Sequence, residues 1–409
     1  MTDTSPLSPT HPAAHPFDAY TAEILSFRMQ SPCAELPEAP DDDTAARNIL
    51  ACLRAIRPQR HSTLLVLGIG SGRLVTELDA ALPQGIAIVV SETSPERLRA
   101  VRATGRLDSL AARGRTHILA DTSPWAHLVL WALCGLTPDN TALRINPEDR
   151  SDDRRNELSR LFHSASSLSL GAGVAEAPSI GLAAILSPED SGLRGFFRHL
   201  PPWLSEVVAV WDADEPPARD YPCDVPVRHV ARRLGNDFAA QRNAMLAACT
   251  TDWVLSLDAD ERLTATGWDA VRLLAAAGQT NDIGGYFFTR RTLYPDTSAF
   301  LAGYGLWPDL QLRLYRRTED LSYERPIHER LTCIEGKLGI VLDAPILHLS
   351  RILKDDAQLR RKLDVFDAAG NGSVRHMLND DYPRVPCPLL PDAAQARDVR
   401  VLTLAHPPA

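Results

Sequence analysis

Several things the chain lacks narrow what it can be. Its seven cysteines stand singly, at 33, 52, 134, 223, 249, 333 and 387, with no C-x-x-C pair. That leaves no readable zinc or redox framework, and the odd count argues against a disulfide scaffold. A reducing cytoplasm suits such a chain. Excess positive charge is also missing. Lys and Arg number 43 against 52 Asp and Glu, a formal net charge of -9. Generic attraction to nucleic acid or to an anionic membrane is therefore not expected. No apolar run approaches the roughly 20 residues of a membrane-spanning helix. The start, MTDTSPLSPTHPAAHP, is polar and proline-rich with no basic region ahead of an apolar run, so it does not read as a signal peptide. The expected location is cytoplasmic, with a peripheral position on the inner face of a membrane left open.

What is present suits a soluble α/β protein. The 409 residues, 44% hydrophobic, suggest two or three domains with ample core. Residues 1–43 read as a disordered start and linker, with a short helix over 19–29. The first α/β unit is expected over 44–168. Helical spacing covers 44–56. A continuous apolar strand, Thr63-Leu64-Leu65-Val66-Leu67, is of the kind buried on both faces of a parallel sheet. It runs into Gly68-Ile69-Gly70-Ser71-Gly72 and then a helical pattern. A second strand, 86–90, closes on Ser91-Glu92. Glycines let backbone N–H groups approach a nucleotide-like ligand, and a strand-end carboxylate can accept from ribose hydroxyls. Gly68, Gly70, Gly72 and Glu92 are thus a candidate ligand site.

This stretch resembles the first motif and following acid of S-adenosylmethionine-dependent methyltransferases. The matching residues are 64–72, Ser91-Glu92 with the helix start after it, and His117-Ile118-Leu119-Ala120-Asp121. The resemblance implies an S-adenosylmethionine site in a Rossmann-like domain. Departures stand beside it. The strand before the glycines lacks the usual acid, Leu136-Thr137-Pro138-Asp139-Asn140 replaces a Pro-Gly-Gly turn, and the last strands are missing. A scaffold with the same fold would read alike.

Charged residues 147–160 and Ser/Gly/Ala-rich 164–178 mark a boundary. The second α/β unit is expected over 176–355. Strands are expected at 180–186, 207–210 and 225–230, and helices at 193–204 and 237–248. The second strand ends in Trp211-Asp212. After the second helix comes Asp252-Trp253-Val254-Leu255-Ser256-Leu257-Asp258-Ala259-Asp260-Glu261. Residues two apart on a strand point the same way, so Asp258 and Asp260 face one ligand if strand geometry persists. Two such carboxylates suit Mg2+ or Mn2+. Alone, the same D-x-D is equally an Asp-rich turn. Its place at the carboxyl end of a strand, where open α/β sheets bind ligands, favours a site.

Ordered blocks then carry a resemblance to family 2 glycosyltransferases of the GT-A fold, most of all the bacterial branch that adds hexoses to lipopolysaccharide core. They are Asp237-Phe238-Ala239-Ala240-Gln241-Arg242-Asn243, the D-x-D segment, Gly285-Tyr286-Phe287-Phe288-Thr289-Arg290-Arg291, Trp307-Pro308-Asp309-Leu310-Gln311-Leu312-Arg313, Tyr323 with Ile327-His328-Glu329, and Pro345-Ile346-Leu347-His348. Pro188 and Trp211 depart from the family pattern, which puts base recognition in doubt.

The resemblance implies inverting transfer of a hexose from a nucleotide-sugar, a UDP-sugar foremost. The acceptor would be a hydroxyl of a glycan, lipid-linked or protein-glycan. It implies Asp260 as metal ligand with His348 beside it. Asp258 would lie toward ribose or metal water, Arg242 on the diphosphate and Asp212 on the base. Asp309 would be the general base, with Glu329 as alternative. Trp307 and Tyr304 are candidate sugar-stacking rings. Each has an ordinary structural reading too: a loop acid, an ion-pair partner or a buried ring. Residues 356–409 are expected as an amphipathic helix over 355–368 and a packing tail with a strand at 399–404. Two alternatives remain: a bifunctional methyl- and glycosyltransferase, or a non-catalytic scaffold.

Overall fold

The computed structural model describes residues 14–27, 35–110, 113–149, 153–168, 170, 178–235, 237–326, 329–354 and 382–404. The expected tail helix over 355–368, the start of the chain and His328 lie outside these. The described residues form two α/β units with separate sheets. One comprises residues 1–121 and 138–155, the other 122–137 and 156–409.

The first unit has a four-stranded, all-parallel sheet in the order β3-β2-β1-β4. The strands are β1 (Thr63–Leu67), β2 (Ala87–Glu92), β3 (Thr116–Ala120) and β4 (Thr141–Ile145). That order is the first part of a doubly wound sheet. Leu64 to Leu67 are wholly buried, as a strand covered on both faces requires. The helices are α1 (Pro16–Ser26), α2 (Asp42–Ala55), α3 (Arg73–Ala81) and α4 (Pro95–Ala103). Two of them start on a side-chain cap that the sequence shows. The Asp41 side chain accepts from the Thr44 N–H and the Ser94 hydroxyl from the Arg97 N–H, which satisfies helix-start donors. The expected 19–29 helix begins earlier, because Pro16 suits a first helical turn.

The second unit continues the chain with α5 (Pro124–Leu133) and most of α6 (Asp153–Ser164). Its helices are completed by α7 (Leu193–Arg198), α8 (Phe238–Ala248), α9 (Ala265–Asn281) and α10 (Ser350–Leu353). Its strands are β5 (Ser166–Leu168), β6 (Ile180–Leu186), β7 (Glu206–Trp211), β8 (Val227–Ala231), β9 (Trp253–Ser256), β10 (Glu261–Arg262), β11 (Ile283–Thr292), β12 (Ala299–Leu301), β13 (Gln311–Arg316), β14 (Ser322–Glu324), β15 (Arg330–Thr332), β16 (Lys337–His348), β17 (Arg384–Pro386) and β18 (Val401–Leu404). The main sheet runs β5-β18-β16-β11-β13-β9-β6-β7-β8, with β10 paired to β16. Strands β6 to β9 are mutually parallel, and β13 inserts antiparallel between β9 and β11.

Alternation along β6 divides its side chains between the two faces. Leu182, Ala184 and Leu186 join the core that contains Val271 and Leu274 of α9. Ala183 faces the other way, into the core with Met245 and Leu246 of α8. Period-two alternation with a helix on each face explains the nearly unbroken apolar strands. The expected helix over 193–204 stops at Arg198. Pro201 and Pro202 follow, and a proline removes a helix donor and disfavours helical geometry before it.

Candidate functional site

Parallel strands deliver acids to one edge of the second sheet. Strand β7 ends at Trp211, and Asp212 follows, its carboxylate accepting from the Leu234 N–H at 2.8 Å. Trp211 itself is wholly buried and donates its indole N–H to His229 at 3.0 Å. It belongs to the core, so Asp212 is the first acid of that loop.

Strand β9 stops at Ser256, and a turn closed by Glu261 N–H to Asp258 C=O carries the D-x-D. Strand geometry does not persist to Asp260, so the two carboxylates are not paired along one strand face. They meet different cations. Asp258 takes the Arg313 guanidinium at 2.7 Å and the Arg242 guanidinium at 3.3 Å. Asp260 takes the Lys354 ammonium at 3.2 Å, and its other oxygen lies 3.6 Å from His348 Nε2. Burial raises the Asp258 pKa, but Arg313 and Arg242 outweigh it and hold the carboxyl well below its usual range. Burial likewise works against the charge on Arg313 and Arg242, and Asp258 together with the neighbouring glutamates and Tyr323 more than offsets it.

These contacts extend into an alternating chain. Glu329 pairs with Arg242 (2.7 Å), Arg242 with Asp258, Asp258 with Arg313, Arg313 with Glu261 (2.7 Å), Glu261 with Arg290 (3.0 Å), and Arg290 with Asp309 (2.7 Å). Glu261 is wholly buried and also accepts from the Asp258 N–H. Four carboxylates thus share three guanidiniums, and buried charges persist only when paired this way. Arg242 also lies over the Tyr323 ring, 5.6 Å from its centre. The neighbouring Asn243 side chain exchanges hydrogen bonds with the backbone of Tyr323 on β14.

Both expected base candidates end this chain. Asp309 sits at φ 42° with its carboxylate held by Arg290 and by the Gln311 amide at 2.8 Å. The left-handed region is one Asp tolerates better than most residues. Glu329 is held by Arg242 at the start of β15. Trp307, an expected stacking ring, is buried against Phe300. It is a core residue.

Of the expected residues, the second unit brings Asp258, Arg242, Asp309 and Glu329 into one chain of contacts, and Asp260 and His348 into a separate pair. Asp212 makes its own loop bond instead. Glu261, Arg290, Arg313 and Lys354 were not expected. Arg290 and Arg313 lie inside the quoted blocks, and their spacing along β11 and β13 gives no hint of their partners.

His348 Nδ1 contacts the Thr292 hydroxyl at 3.1 Å, which leaves Nε2 toward Asp260. Fixing one ring nitrogen orients the other, as metal-binding histidines require. The Asp260–His348 pair fits a small divalent ion on that ground, while Asp258 is committed to arginines. Among the described residues, three ligating groups come together elsewhere, within 4.8 Å of one another at His15, Asp18 and His117 of the first unit. There the two imidazoles are stacked 3.8 Å apart, and the Asp18 carboxylate is engaged by His117 and by the Ile118 N–H.

In the first unit, Gly68, Gly70 and Gly72 all have positive φ, the reason the turn needs glycine. Glu92 lies behind them. Its carboxylate accepts from the Ile69 and Ser94 N–H groups, each at 2.9 Å, and meets the Arg155 guanidinium at 3.3 Å.

No family model matches the chain. Two curated proteins are similar to it over short stretches. A TPR repeat-containing protein of Synechococcus elongatus is 38% identical over 95 residues, 23% of this chain and 21% of that protein. The lipopolysaccharide core biosynthesis glycosyltransferase LpsC of Rhizobium meliloti is 30% identical over 131 residues, 30% of this chain and 44% of that protein. The chain therefore covers less than half the length of either relative. No helix among the described residues is long and apolar enough to cross a membrane.

Proposed function

We propose that the second unit is an inverting glycosyltransferase of the family 2, GT-A type. It would move a hexose from a nucleoside diphosphate sugar, a UDP-sugar foremost, to a hydroxyl of a lipopolysaccharide-type glycan. The similarity to a lipopolysaccharide core glycosyltransferase supports glycosyl transfer in general. The observation that carries the finer reading is that, beyond the carboxyl end of β9, Asp258 meets Arg242 and Arg313 while Asp260 meets His348. That edge is where open α/β sheets bind ligands.

In this reading the acceptor oxygen attacks the anomeric carbon as the bond from that carbon to the phosphate oxygen breaks. The electron pair leaves with the nucleoside diphosphate, and the acceptor proton passes to a carboxylate. Arg242 and Arg313 meet the developing charge of the diphosphate, for which planar guanidiniums are well shaped. Their present partner, Asp258, then turns toward the ribose. Asp212 faces the base. Asp309 takes the proton, with Glu329 as the alternative. Mg2+ or Mn2+, held by Asp260 with His348, would supply further neutralisation of the leaving group.

A donor-hydrolysis screen across nucleotide-sugars with Mg2+ and Mn2+ tests this. One UDP-hexose should be turned over in a metal-dependent way, and Asp260→Ala should abolish it. Absence of any nucleotide-sugar binding, with Asp260→Ala making no difference to melting in donor and metal, would reject the proposal in favour of a non-catalytic scaffold. Asp309→Asn and Glu329→Gln separate the two bases: only loss of the true base removes the acidic limb of the pH–rate profile.

A further inference from the structure

The resemblance of the first unit implies an S-adenosylmethionine site at its glycine turn, and the residues there do not fit one. We infer that this unit closes its own cradle with internal carboxylates and an arginine, and takes no S-adenosylmethionine. Three positions carry the inference, and all lie within one unit.

Glu92, at the end of β2, is where a ribose-binding acid would stand. To accept from ribose hydroxyls it must present oxygens to open space. It is wholly buried. The Ile69 N–H takes one oxygen and the Ser94 N–H the other, and Arg155 lies 3.3 and 3.5 Å from the two. The Arg155 side chain is itself only 2% exposed. A carboxylate has about four acceptor sites, and these partners occupy most of them. A ligand reaching Glu92 would have to expel Arg155 and leave a guanidinium buried without its charge partner, which is strongly unfavourable.

The second position is the turn. A Cβ placed on Gly70 would lie 2.6 Å from the Asn146 amide and 2.7 Å from the Glu148 carboxylate. The space that glycine opens is thus filled by the segment after β4. The Ser71 N–H, just ahead of α3, donates to Glu148 at 2.7 Å. Helix starts attract anions, and here the anion comes from the chain itself. Asn146 completes the plug, donating to the Gly68 carbonyl and accepting from the Glu148 N–H.

The third position is Asp121, after β3, where the adenine-side acid would be. It is wholly buried and accepts from the Tyr20 hydroxyl at 2.7 Å. Helix α1 is fastened over the same strand by Thr21, which donates to the Ile118 carbonyl and accepts from the Ala120 N–H. Glu92, the Ser71 N–H and Asp121 thus each have an internal partner where the cofactor would need them.

The test titrates the full chain with S-adenosylmethionine and with S-adenosylhomocysteine by calorimetry, followed by ultraviolet cross-linking and peptide mapping. No saturable heat is expected. A cross-link confined to other parts of the chain also supports a closed cradle. Saturable binding that cross-links to residues 68–97 or 117–121 overturns it. A second measurement reads the internal pair directly. Glu92→Gln should lower the melting temperature of the first unit, because Arg155 loses its counter-charge. An unchanged melting temperature would show that Glu92 is not committed to Arg155. Neither result touches donor hydrolysis by the second unit, so the two proposals fail independently.

Discussion

Replacing Arg313 by methionine should unsettle the second unit before it touches any chemistry. The Arg313 side chain is 6% exposed and bridges Asp258 and Glu261, both at 2.7 Å. Without it, four carboxylates share two guanidiniums. Glu261 keeps Arg290 at 3.0 Å and the Asp258 N–H, so it is not wholly stranded. Removing one partner of a buried ion pair costs about 3–5 kcal/mol, and the remaining bonds place this case near 3. In a unit of this size each kcal/mol lowers the melting temperature by roughly 2–4 °C, which gives a drop of about 6–12 °C by circular dichroism or scanning fluorimetry. The double variant Arg313→Met with Glu261→Gln should lose less than the sum of the singles, since it removes the charge left unpaired. A fall below about 2 °C, or strict additivity with Glu261→Gln, would refute the chain as an energetic unit.

Three further outcomes follow from local geometry. Asp258 is held ionised below its usual range, so its contribution to stability is present above the unfolded pKa of about 4 and is lost as pH falls further. Melting temperature should therefore drop more steeply below pH 4 in the wild type than in Asp258→Asn; parallel curves would contradict the pairing. Among the cysteines, burial pushes the Cys249 thiol up to about 12 and Cys134 up to about 11, while Cys333 is exposed. Since the thiolate is the reactive form, brief iodoacetamide treatment at pH 8 should modify Cys333 ahead of the other described cysteines and spare Cys249 and Cys134, as read by peptide mass spectrometry. Finally, a Cβ on Gly284 would meet the Glu335 carbonyl oxygen at 1.8 Å. Gly284→Ala should cost about 1–3 kcal/mol or more through overpacking, measured by urea unfolding against Gly285→Ala, whose nearest contact is a movable Leu312 methyl at 3.1 Å.

Much of this was legible from the residues. The apolar strands at 63–67, 180–186 and 253–256 announce two α/β units because strands buried on both faces leave unbroken runs. The acids after β7 and β9 sit at the sheet edge that strand polarity dictates. What the sequence hides is adjacency. Arg313 reaches Asp258 because β13 inserts beside β9, with Leu314 opposite Leu255, and no periodicity encodes which strand neighbours which. Arg155 is hidden in another way. The stretch 147–160 has the mixed charge of a solvated linker, yet Arg155 is 1% exposed, because one buried carboxylate, Glu92, sets its place. The shortened α7 is legible too, because Pro201 and Pro202 bar a helix through to Leu204.

The same adjacency separates the two D-x-D carboxylates, which spacing alone treats as equivalent. Asp258 lies between two buried guanidiniums, so its charge is part of what holds Arg242 and Arg313 in place. Asp260, itself only 14% exposed, faces one ammonium and one imidazole, whose side chains are 24% and 14% exposed against 9% and 6% for the guanidiniums on Asp258. Asp258→Asn should then lower both melting temperature and donor turnover, because it disturbs the arginines as well as the ligand. Asp260→Asn, which unpairs only the more exposed Lys354 and leaves the guanidiniums their partners, should lower melting less than Asp258→Asn does, while removing metal-dependent turnover. Equal loss of stability in the two variants would mean that the division between a structural and a chemical carboxylate is wrong.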